Sequence, residues 1–335
     1  MENKICIGIN GFGRIGRNLF RMLLNHPGIK VGAINDLADA KTLAHLLKYD
    51  SIHGVLKNDI SATNFSIVVD GIEFPVTNEP HPENINWPRF NIDVVIESTG
   101  KFKTHQLLEN HLQPGVKKVI LSVPPQDDSI KMVVLGVNEN ILDGSEKIIS
   151  NASCTTNNAA PLLKVINELC GVRQAYITTV HSYTTDQSLH DQPHKDLRRA
   201  RAAAQSIIPT TTGAAKALTR IFPELSDVIG GCGIRVPVPN GSLTDMTLLV
   251  EKTTNIEHIN KAFKSAAQGT FKGIIEYTED PVVSIDIVGN THSCVFDAQM
   301  TSVIGGNFVK IIGWYDNETG YSSRLIDLIS VVCNK

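Results

Sequence analysis

The chain lacks several features that would place it in other classes of protein. Its 335 residues contain no apolar run long enough to span a bilayer. Charge is nearly balanced, with 31 basic and 34 acidic residues and a net charge of −3. Because that balance gives no general attraction to polyanions, we expect neither a nucleic-acid partner nor a membrane partner.

The six cysteines are scattered, and none forms a C-x-x-C pair. This spacing argues against a disulfide framework and against a cysteine zinc site. Secretory features are also missing, since only Lys4 precedes the first apolar run and no small-residue cleavage site follows it. His190 and His194 have the i,i+4 spacing of metal ligands, but Pro193 argues against a helix there. We therefore expect a cytoplasmic protein without a metal.

The first half of the chain shows the order strand, glycine-rich turn, helix, strand. A β-branched run at 4–9 leads into the turn at 11–16, and a second strand is predicted at 30–34. Alternation at 65–78 indicates an antiparallel insertion. Further buried strands are predicted at 94–97, 119–122, 132–135 and 148–150. This pattern predicts a Rossmann domain.

Each glycine of the turn has a separate predicted task. Gly11 makes the tight turn, Gly13 lets the backbone approach a pyrophosphate, and Gly16 lets helix and strand pack closely. Asp36 lies 20 residues beyond Gly16, where an acid binds ribose hydroxyls and repels a 2′-phosphate, which favours NAD over NADP. The alternative is a structural glycine turn with a solvated Asp36. Loops at 98–100 and 122–125 follow predicted strands, where open sheets bind ligands.

The second half changes to an α+β pattern. A helix is predicted at about 159–169, and the stretch from 182 to 209 has little regular pattern, which is typical of a functional loop. Later helices are predicted near 213–220 and 256–268, and strands at 175–181, 234–238, 243–252, 293–303 and 308–315. The expected fold class is an α/β Rossmann NAD-binding domain plus an α+β catalytic domain with a mixed or antiparallel sheet. We place the domains at 1–153 and 154–318, and expect a terminal helix at about 319–335 to pack back onto the first.

Cys154 is the candidate nucleophile. It lies just before the apparent helix, whose dipole and free amides stabilise a thiolate, and hydroxyl residues flank it. A buried structural cysteine is the alternative. His181 ends a predicted strand and is a candidate to ion-pair with the thiolate, activate it and exchange a proton with substrate. A satisfied structural histidine is its alternative.

Two further patterns suit anions. The run Thr210–Gly213 precedes a helix and offers hydroxyls and amides, although a plain threonine N-cap is a strong alternative. Arg199 and Arg235 are candidates for bidentate phosphate binding, or else ordinary ion-pair arginines.

These motifs, taken together and in order, resemble those of the bacterial glyceraldehyde-3-phosphate dehydrogenase family over essentially the full length. The resemblance rests on the segments at 9–17 (INGFGRIGR), 150–157 (SNASCTTN), 179–184 (TVHSYT), 197–201 (LRRAR), 208–216 (IPTTTGAAK), 235–237 (RVP) and 314–321 (WYDNETGY).

The resemblance implies roles for individual residues. Cys154 is the implied nucleophile and His181 its activator. Residues implied in holding NAD are Asn10, Gly11, Phe12, Gly13, Arg14, Ile15, Gly16, Asp36, Thr99, Ser122, Asn317 and Tyr321. Residues implied in holding inorganic phosphate or the phosphate of the substrate are Ser153, Thr155, Thr184, Arg199, Thr212, Gly213 and Arg235.

The implied reaction joins aldehyde oxidation to phosphorylation. Glyceraldehyde 3-phosphate forms a thiohemiacetal and then a thioester on Cys154, and phosphate releases 1,3-bisphosphoglycerate. The family is homotetrameric, with the 182–209 loop at a subunit contact. Leu37 and Pro193 match positions that crowd out a 2′-phosphate.

Two positions depart from the family pattern. Asn158 replaces a second cysteine of the nucleophile motif, and no arginine lies near 79–81 on the adenine side. Erythrose-4-phosphate dehydrogenase is a close alternative function. A Cys-His acyltransferase without a redox step is an alternative of another class, and an NAD-sensing or adhesion protein is a third.

Overall fold

The structure, a computed structural model, describes residues 4–333. Over that range the chain divides into two compact units. The first unit contains the chain up to Val133, the segment Asn140–Ala152 and the chain from Ser322 onward. The second contains Val134–Glu139 and Ser153–Tyr321. Residues 1–3 and 334–335 of the predicted first domain lie outside the described residues.

The first unit is built on a mainly parallel sheet, to which the described residues contribute nine strands. They run in the order β10-β11-β9-β8-β1-β2-β7-β6-β5, and a separate two-stranded ribbon pairs β3 with β4. The bounds are β1 Ile5–Asn10, β2 Ile29–Asn35, β3 Tyr49–Asp50, β4 Gly54–Val55, β5 Ile60–Ala62, β6 Ser66–Val69, β7 Ile72–Thr77, β8 Val94–Glu97, β9 Lys118–Leu121, β10 Lys131–Met132 and β11 Ile148–Ser150.

The central strands of this sheet are parallel, whereas β5, β6 and β7 pair antiparallel at one edge. β1 is buried over most of its length, as expected for a strand covered on both faces. One part of the core gathers around Trp87, Val95 and Val119. The helices of this unit are α1 Arg14–Leu23, α2 Ala40–Lys48 and α3 His105–Glu109. The sheet therefore carries the glycine-rich turn at the carboxyl end of β1.

The second unit is built on a mixed sheet in the order β13-β14-β12-β15-β19-β17-β16, with β18 on β19. The bounds are β12 Val172–Ser182, β13 Ile208–Thr210, β14 Ile229–Val236, β15 Ser242–Val250, β16 Ile275–Thr278, β17 Cys294–Asp297, β18 Ser302–Ile304 and β19 Phe308–Tyr315. The helices are α4 Cys154–Cys170, α5 Ala214–Ile221 and α6 Ile256–Gln268, and α7 Thr319–Cys333 begins here and continues in the first unit.

Helix α4 lies at the centre of the second unit. It packs against strands β15, β17 and β19 and against helices α5 and α6. Short 3₁₀ turns complete the chain at Pro82–Asn84, Trp87–Phe90, Glu139–Ile141, Pro223–Leu225, Ser284–Ile287 and Ala298–Met300. The sheet partners of β12 are parallel β14 and antiparallel β15, which makes the sheet mixed.

The predicted fold class is confirmed, with three corrections to elements. Helix α4 begins at Cys154 instead of near Ala159. The strand predicted at 132–135 ends at Met132. The strand predicted at 293–303 is two strands separated by a 3₁₀ turn, because the Asp297 side chain accepts a hydrogen bond from the Gln299 amide and turns the chain. Between residues 4 and 333, no helix combines the length and apolar character needed to cross a membrane.

Candidate active site

The first turn of α4 positions the thiol of Cys154. Ser153 is the N-cap, and its hydroxyl accepts a hydrogen bond from the Thr156 amide at 3.1 Å. Cys154 is thus the first residue of the helix, where backbone N–H groups lack intrahelical partners and favour negative charge. The residue as a whole is half-buried. This location suits a nucleophile better than a core cysteine.

Strand β12 brings His181 to that thiol. The Nε2 atom of His181 lies 3.5 Å from the Sγ atom of Cys154. On the other side of the ring, Nδ1 lies 2.7 Å from the carbonyl oxygen of Ser182. The carbonyl accepts from a protonated Nδ1, whereas the Arg235 guanidinium, which lies 2.6 Å from Nδ1 and only donates, requires a lone pair there, so the two contacts favour opposite tautomers.

Strand β14, parallel to β12, supplies the guanidinium of Arg235. Its Nη1 atom donates to the Ser182 carbonyl at 2.8 Å and lies 2.6 Å from Nδ1 of His181. Parallel pairing places Arg235 directly beside His181 in the register of the two strands. Thiol, imidazole and guanidinium therefore form one continuous group of side chains.

Burial and positive charge set the protonation of this group. Burial, and then the Arg235 guanidinium, lower the pKa of His181 to about 3, so the ring is neutral at neutral pH. Burial also raises the pKa of the Cys154 thiol, an effect opposed by Arg235 and by the Thr155 amide. Both shifts favour the neutral thiol and the neutral imidazole over the ion pair hypothesised from the sequence.

Tyr315, at the end of β19, contacts the residues around the Cys154 thiol and the His181 ring. Its hydroxyl lies 2.9 Å from the hydroxyls of both Thr155 and Thr179. Its ring meets the His181 ring edge-on, with centroids 6.0 Å apart. Burial raises the pKa of Tyr315, so it remains a neutral hydrogen-bonding group. The hydroxyl of Thr155, a candidate phosphate ligand, is therefore engaged inside the protein.

Arg199 adds a second guanidinium. Its Nη1 donates to Asp186 at 2.7 Å, its Nε to the Thr210 hydroxyl at 2.8 Å and its Nη2 to the Thr211 carbonyl at 3.0 Å. Its positive charge contributes to lowering the pKa of both His181 and Arg235. Two like charges acting on one imidazole form an environment that an anion would relieve.

The other candidate phosphate residues are dispersed around this group. Thr212 accepts from the Ala214 amide at 3.2 Å, so its hydroxyl closes the turn before α5. A side chain at Gly213 would meet no atom within 4 Å, which leaves its backbone open to a ligand. Thr184 follows β12 by two residues and is half-buried.

In the first unit, the glycine-rich turn has the shape that a dinucleotide needs. Gly11 has a φ of 93°, in the left-handed region that favours glycine. A Cβ at Gly16 would lie 2.3 Å from the Gly11 carbonyl, so only glycine packs there. At Gly13, by contrast, nothing lies within 4 Å of the Cβ position. That open space, before a helix with no acidic residue in its first turn, fits a pyrophosphate.

The carboxylate of Asp36 closes the side of this turn. It accepts from the Phe12 amide at 2.7 Å and from the Ala38 amide at 3.0 Å, and each oxygen keeps a further lone pair for ribose hydroxyls. The Arg14 side chain is engaged elsewhere, in a bidentate pair with Asp50 at 2.5 and 3.1 Å. The pair with Asp50 therefore occupies one donor on each Nη atom of Arg14.

The remaining candidate cofactor residues divide between the units. Ser122 lies in the first unit, where its amide donates to the Glu97 carbonyl at 2.9 Å. Asn317 and Tyr321 lie in the second, and the Ser242 hydroxyl donates to Asn317 Oδ1 at 3.1 Å. In the described part of the chain, no three His, Cys, Asp or Glu side chains converge in a way that could hold a metal ion.

Sequence reasoning missed the contacts that Tyr315, Asp186 and Ser242 make around the site. Tyr315 and Thr155 are separated by 160 residues, so only the folded sheet brings them together. Asn158, which departs from the family motif, is fully buried. Its amide donates to the carbonyls of Ser293 and Trp314 at 3.3 and 3.2 Å, which ties α4 to β19 and to the residue before β17.

A dinucleotide-binding turn in one unit and a thiol–imidazole pair with two arginines in the other define an NAD-dependent oxidoreductase with a candidate cysteine nucleophile. Comparison with protein families then identifies the family of oxidoreductases. Residues 5–105 match the family model described as glyceraldehyde 3-phosphate dehydrogenase, NAD binding domain. Residues 153–317 match the model described as the C-terminal domain of the same enzyme. The chain belongs to the glyceraldehyde-3-phosphate dehydrogenase family.

Individual relatives are similar over nearly the whole length. Glyceraldehyde-3-phosphate dehydrogenase 1 of Bacillus cereus is 53% identical over 330 residues, which cover 98% of each chain. Glyceraldehyde-3-phosphate dehydrogenase of Geobacillus stearothermophilus is 52% identical over 332 residues, covering 99% of each. The enzyme of that name from Thermotoga maritima is 52% identical over 328 residues, covering 97% of this chain and 98% of its own.

Proposed function

We propose that this protein oxidises D-glyceraldehyde 3-phosphate and phosphorylates the product with inorganic phosphate, giving 1,3-bisphosphoglycerate and NADH. The observation that carries the proposal is the 3.5 Å approach of Cys154 Sγ and His181 Nε2 in a chain of this family. We assign Cys154 as the nucleophile and His181 as the base. The two units correspond in this proposal to an NAD-binding domain and a catalytic domain.

His181 accepts protons at Nε2 in this mechanism. The neutral ring takes the thiol proton as sulfur attacks the aldehyde carbon, and returns it to the developing oxyanion to give the thiohemiacetal. It then takes the hydroxyl proton of the thiohemiacetal as the hydride leaves. NAD, when bound, accepts the hydride. The product is a thioester on Cys154, which keeps the acyl group activated for transfer.

Arg235 and Arg199 serve the phosphates. Anions beside these guanidinium groups offset the positive charge that lowers the pKa of His181, so His181 becomes a stronger base once substrate is bound. The open backbone at Gly213 and the hydroxyls of Thr184 and Thr212 complete the proposed phosphate contacts. Inorganic phosphate then attacks the thioester, and the Cys154 thiolate leaves.

We further propose that the protein is a cytoplasmic homotetramer. The loop between β12 and β13 exposes large apolar side chains, with Leu189, Leu197 and Ile207 at 75%, 81% and 69% of their full surface. Such a surface is typical of a segment that another chain covers.

The decisive experiment is an NADH absorbance assay with glyceraldehyde 3-phosphate and NAD, run with and without inorganic phosphate. Sustained turnover that requires phosphate is the expected result. A phosphate-independent thioester hydrolysis or the absence of NADH would contradict the proposal. Running erythrose 4-phosphate in parallel tests the close alternative, since a higher kcat/KM for that aldehyde would reassign the substrate.

A further inference from the structure

Glu97, at the end of β8, is a fully buried carboxylate surrounded by hydrogen-bond donors. Its Oε1 accepts from the Thr99 amide at 2.8 Å and from the Thr99 hydroxyl. Its Oε2 accepts from Asn10 Nδ2 at 2.5 Å and faces His111 Nε2 at 3.2 Å. A carboxylate offers about four acceptor positions. These contacts use all of them.

The hydrogen bonds that His111 and Asn10 make to other residues determine which of their atoms faces Glu97. The Trp87 indole only donates, and its Nε1 bonds His111 Nδ1 at 3.0 Å, so Nε2 of His111 carries the proton that faces Glu97. Asn35 Nδ2 donates to Asn10 Oδ1 at 2.8 Å, which turns the Asn10 amide nitrogen toward Glu97. The two carboxylate oxygens of Glu97 therefore accept from Thr99, Asn10 and His111.

This network ends at the glycine-rich turn. Glu97 holds Thr99, and the Ser98 hydroxyl between them donates to the Gly11 carbonyl at 2.7 Å. Packing is so close that a Cβ on Gly11 would lie 2.7 Å from the Thr99 nitrogen. The buried Glu97 side chain thus links the loop after β8 to the end of β1, where the glycine-rich turn begins.

We propose that Glu97 is a positioning residue of the cofactor site, which sets the loop at 98–100 and the turn at 11–16 in the arrangement that binds NAD. It acts through Thr99 and Ser98, because it is itself buried. The proposal rests on the proposed function only in that NAD is the ligand of this turn. It assigns a purpose to a buried carboxylate that the chemistry at Cys154 does not use.

The test is the isosteric change Glu97→Gln in the full-length chain, with NAD binding measured by titration calorimetry. The new amide needs its oxygen toward Thr99, so its NH₂ group faces the donors of Asn10 and His111. We expect the Kd for NAD to rise about tenfold, since unsatisfied buried donors reshape the loop. At saturating NAD, kcat and the KM for the aldehyde should stay near wild type, a split that general damage would not produce.

Trp87→Phe is the matched control. It removes the outermost donor of the network and disturbs the same core, but leaves the Asn10, Thr99 and His111 side chains around Glu97 unchanged. We expect a lower melting temperature with an NAD Kd within about twofold of wild type. If Trp87→Phe weakens NAD as much as Glu97→Gln does, the effect is one of stability and the proposal is overturned.

If the Glu97→Gln variant does not fold, Ser98→Ala tests the same positioning role. It removes the hydroxyl contacts to the carbonyls of Asn10 and Gly11, at 3.1 and 2.7 Å, and we expect an NAD Kd raised about threefold. An unchanged Kd in either variant would refute the positioning role. A wild-type chain that binds no NAD would instead contradict the proposed function, so the two failures are distinguishable.

Discussion

The sulfur of Cys154 carries every covalent step of the proposed reaction. Cys154→Ala should lower phosphate-dependent NADH formation by at least about a thousandfold, because no other group can form the thioester. NAD affinity should be unchanged, as measured by calorimetry. Cys232→Ala is the matched control, since Cys232 is also a partly exposed free thiol of the second unit. Comparable activity loss in both variants would contradict the assignment of the nucleophile.

The buried His181 ring leads to a prediction about how the free energy of unfolding depends on pH. Its pKa is about 3 in the folded protein, against an ordinary value of 6.5, so the unfolded chain binds the extra proton as pH falls through that window. The contribution of His181 to folding stability is therefore fully present above pH 6.5 and is lost as pH falls toward 3.

Comparison with His181→Gln isolates this contribution. Between pH 7 and pH 5, wild type should lose about 2 kcal/mol more unfolding free energy than the variant. Urea denaturation at the two pH values measures the difference. Equal losses would mean that the imidazole is not buried in its neutral form.

Sequence alone supplied both members of the Cys154–His181 pair but not their approach. The two residues are 27 positions apart, and their contact depends on β12 returning beside the start of α4. The pKa shifts that favour a neutral pair have the same origin. Burial and the neighbouring Arg235 are properties of the fold, and local sequence around His181 encodes neither.

At the scale of elements, the cap of α4 links helix stability to thiol position. Ser153→Ala removes the acceptor for the Thr156 amide and should cost about 1 kcal/mol of unfolding free energy. It should also slow alkylation of Cys154, because a frayed first turn loses its oriented amides. Rates of iodoacetamide labelling and urea denaturation measure the two effects.

Asn255→Ala provides the control for that prediction. Asn255 caps α6 in the same unit, where its side chain accepts from the His258 amide at 2.8 Å. It should cost a similar free energy while leaving the labelling rate at Cys154 unchanged. If both caps alter labelling equally, the thiol responds to overall stability and not to its own helix.

Elements were predictable where local pattern and fold agree. Strand β19 and helix α6 match their predicted bounds, the helix because its apolar face and its Asn255 cap are both local. The start of α4 was missed because the run from Thr155 to Asn158 is poor in helix formers and Pro161 follows within the helix. Burial of that run in the unit overrides its propensity.

At the scale of the whole molecule, NAD should stabilise the folded chain. At a concentration 100 times its Kd, NAD should add about 2.7 kcal/mol and raise the melting temperature. The same concentration of NADP should give a much smaller shift, because the Asp36 carboxylate repels a 2′-phosphate. Differential scanning fluorimetry measures both, and equal shifts would contradict the assigned specificity.

The proposed tetramer makes a separate prediction. Light scattering should give about four times the 36.5 kDa mass of one chain. Leu197→Asp places a charge on an exposed apolar side chain of the loop between β12 and β13 and should lower that mass. A monomeric wild-type protein would leave those apolar side chains without the proposed covering.

The placement of the reactive sulfur on α4 has a consequence for how activity fails. The first turns of this helix are buried at every residue from Thr155 to Ala160, and the helix contacts strands β12, β15, β17 and β19. No flexible loop carries the sulfur, so its position should change only when α4 itself unfolds. The loss of activity on heating should therefore coincide with the thermal unfolding of that unit. Warming below the melting temperature should leave no population of molecules that are folded but inactive.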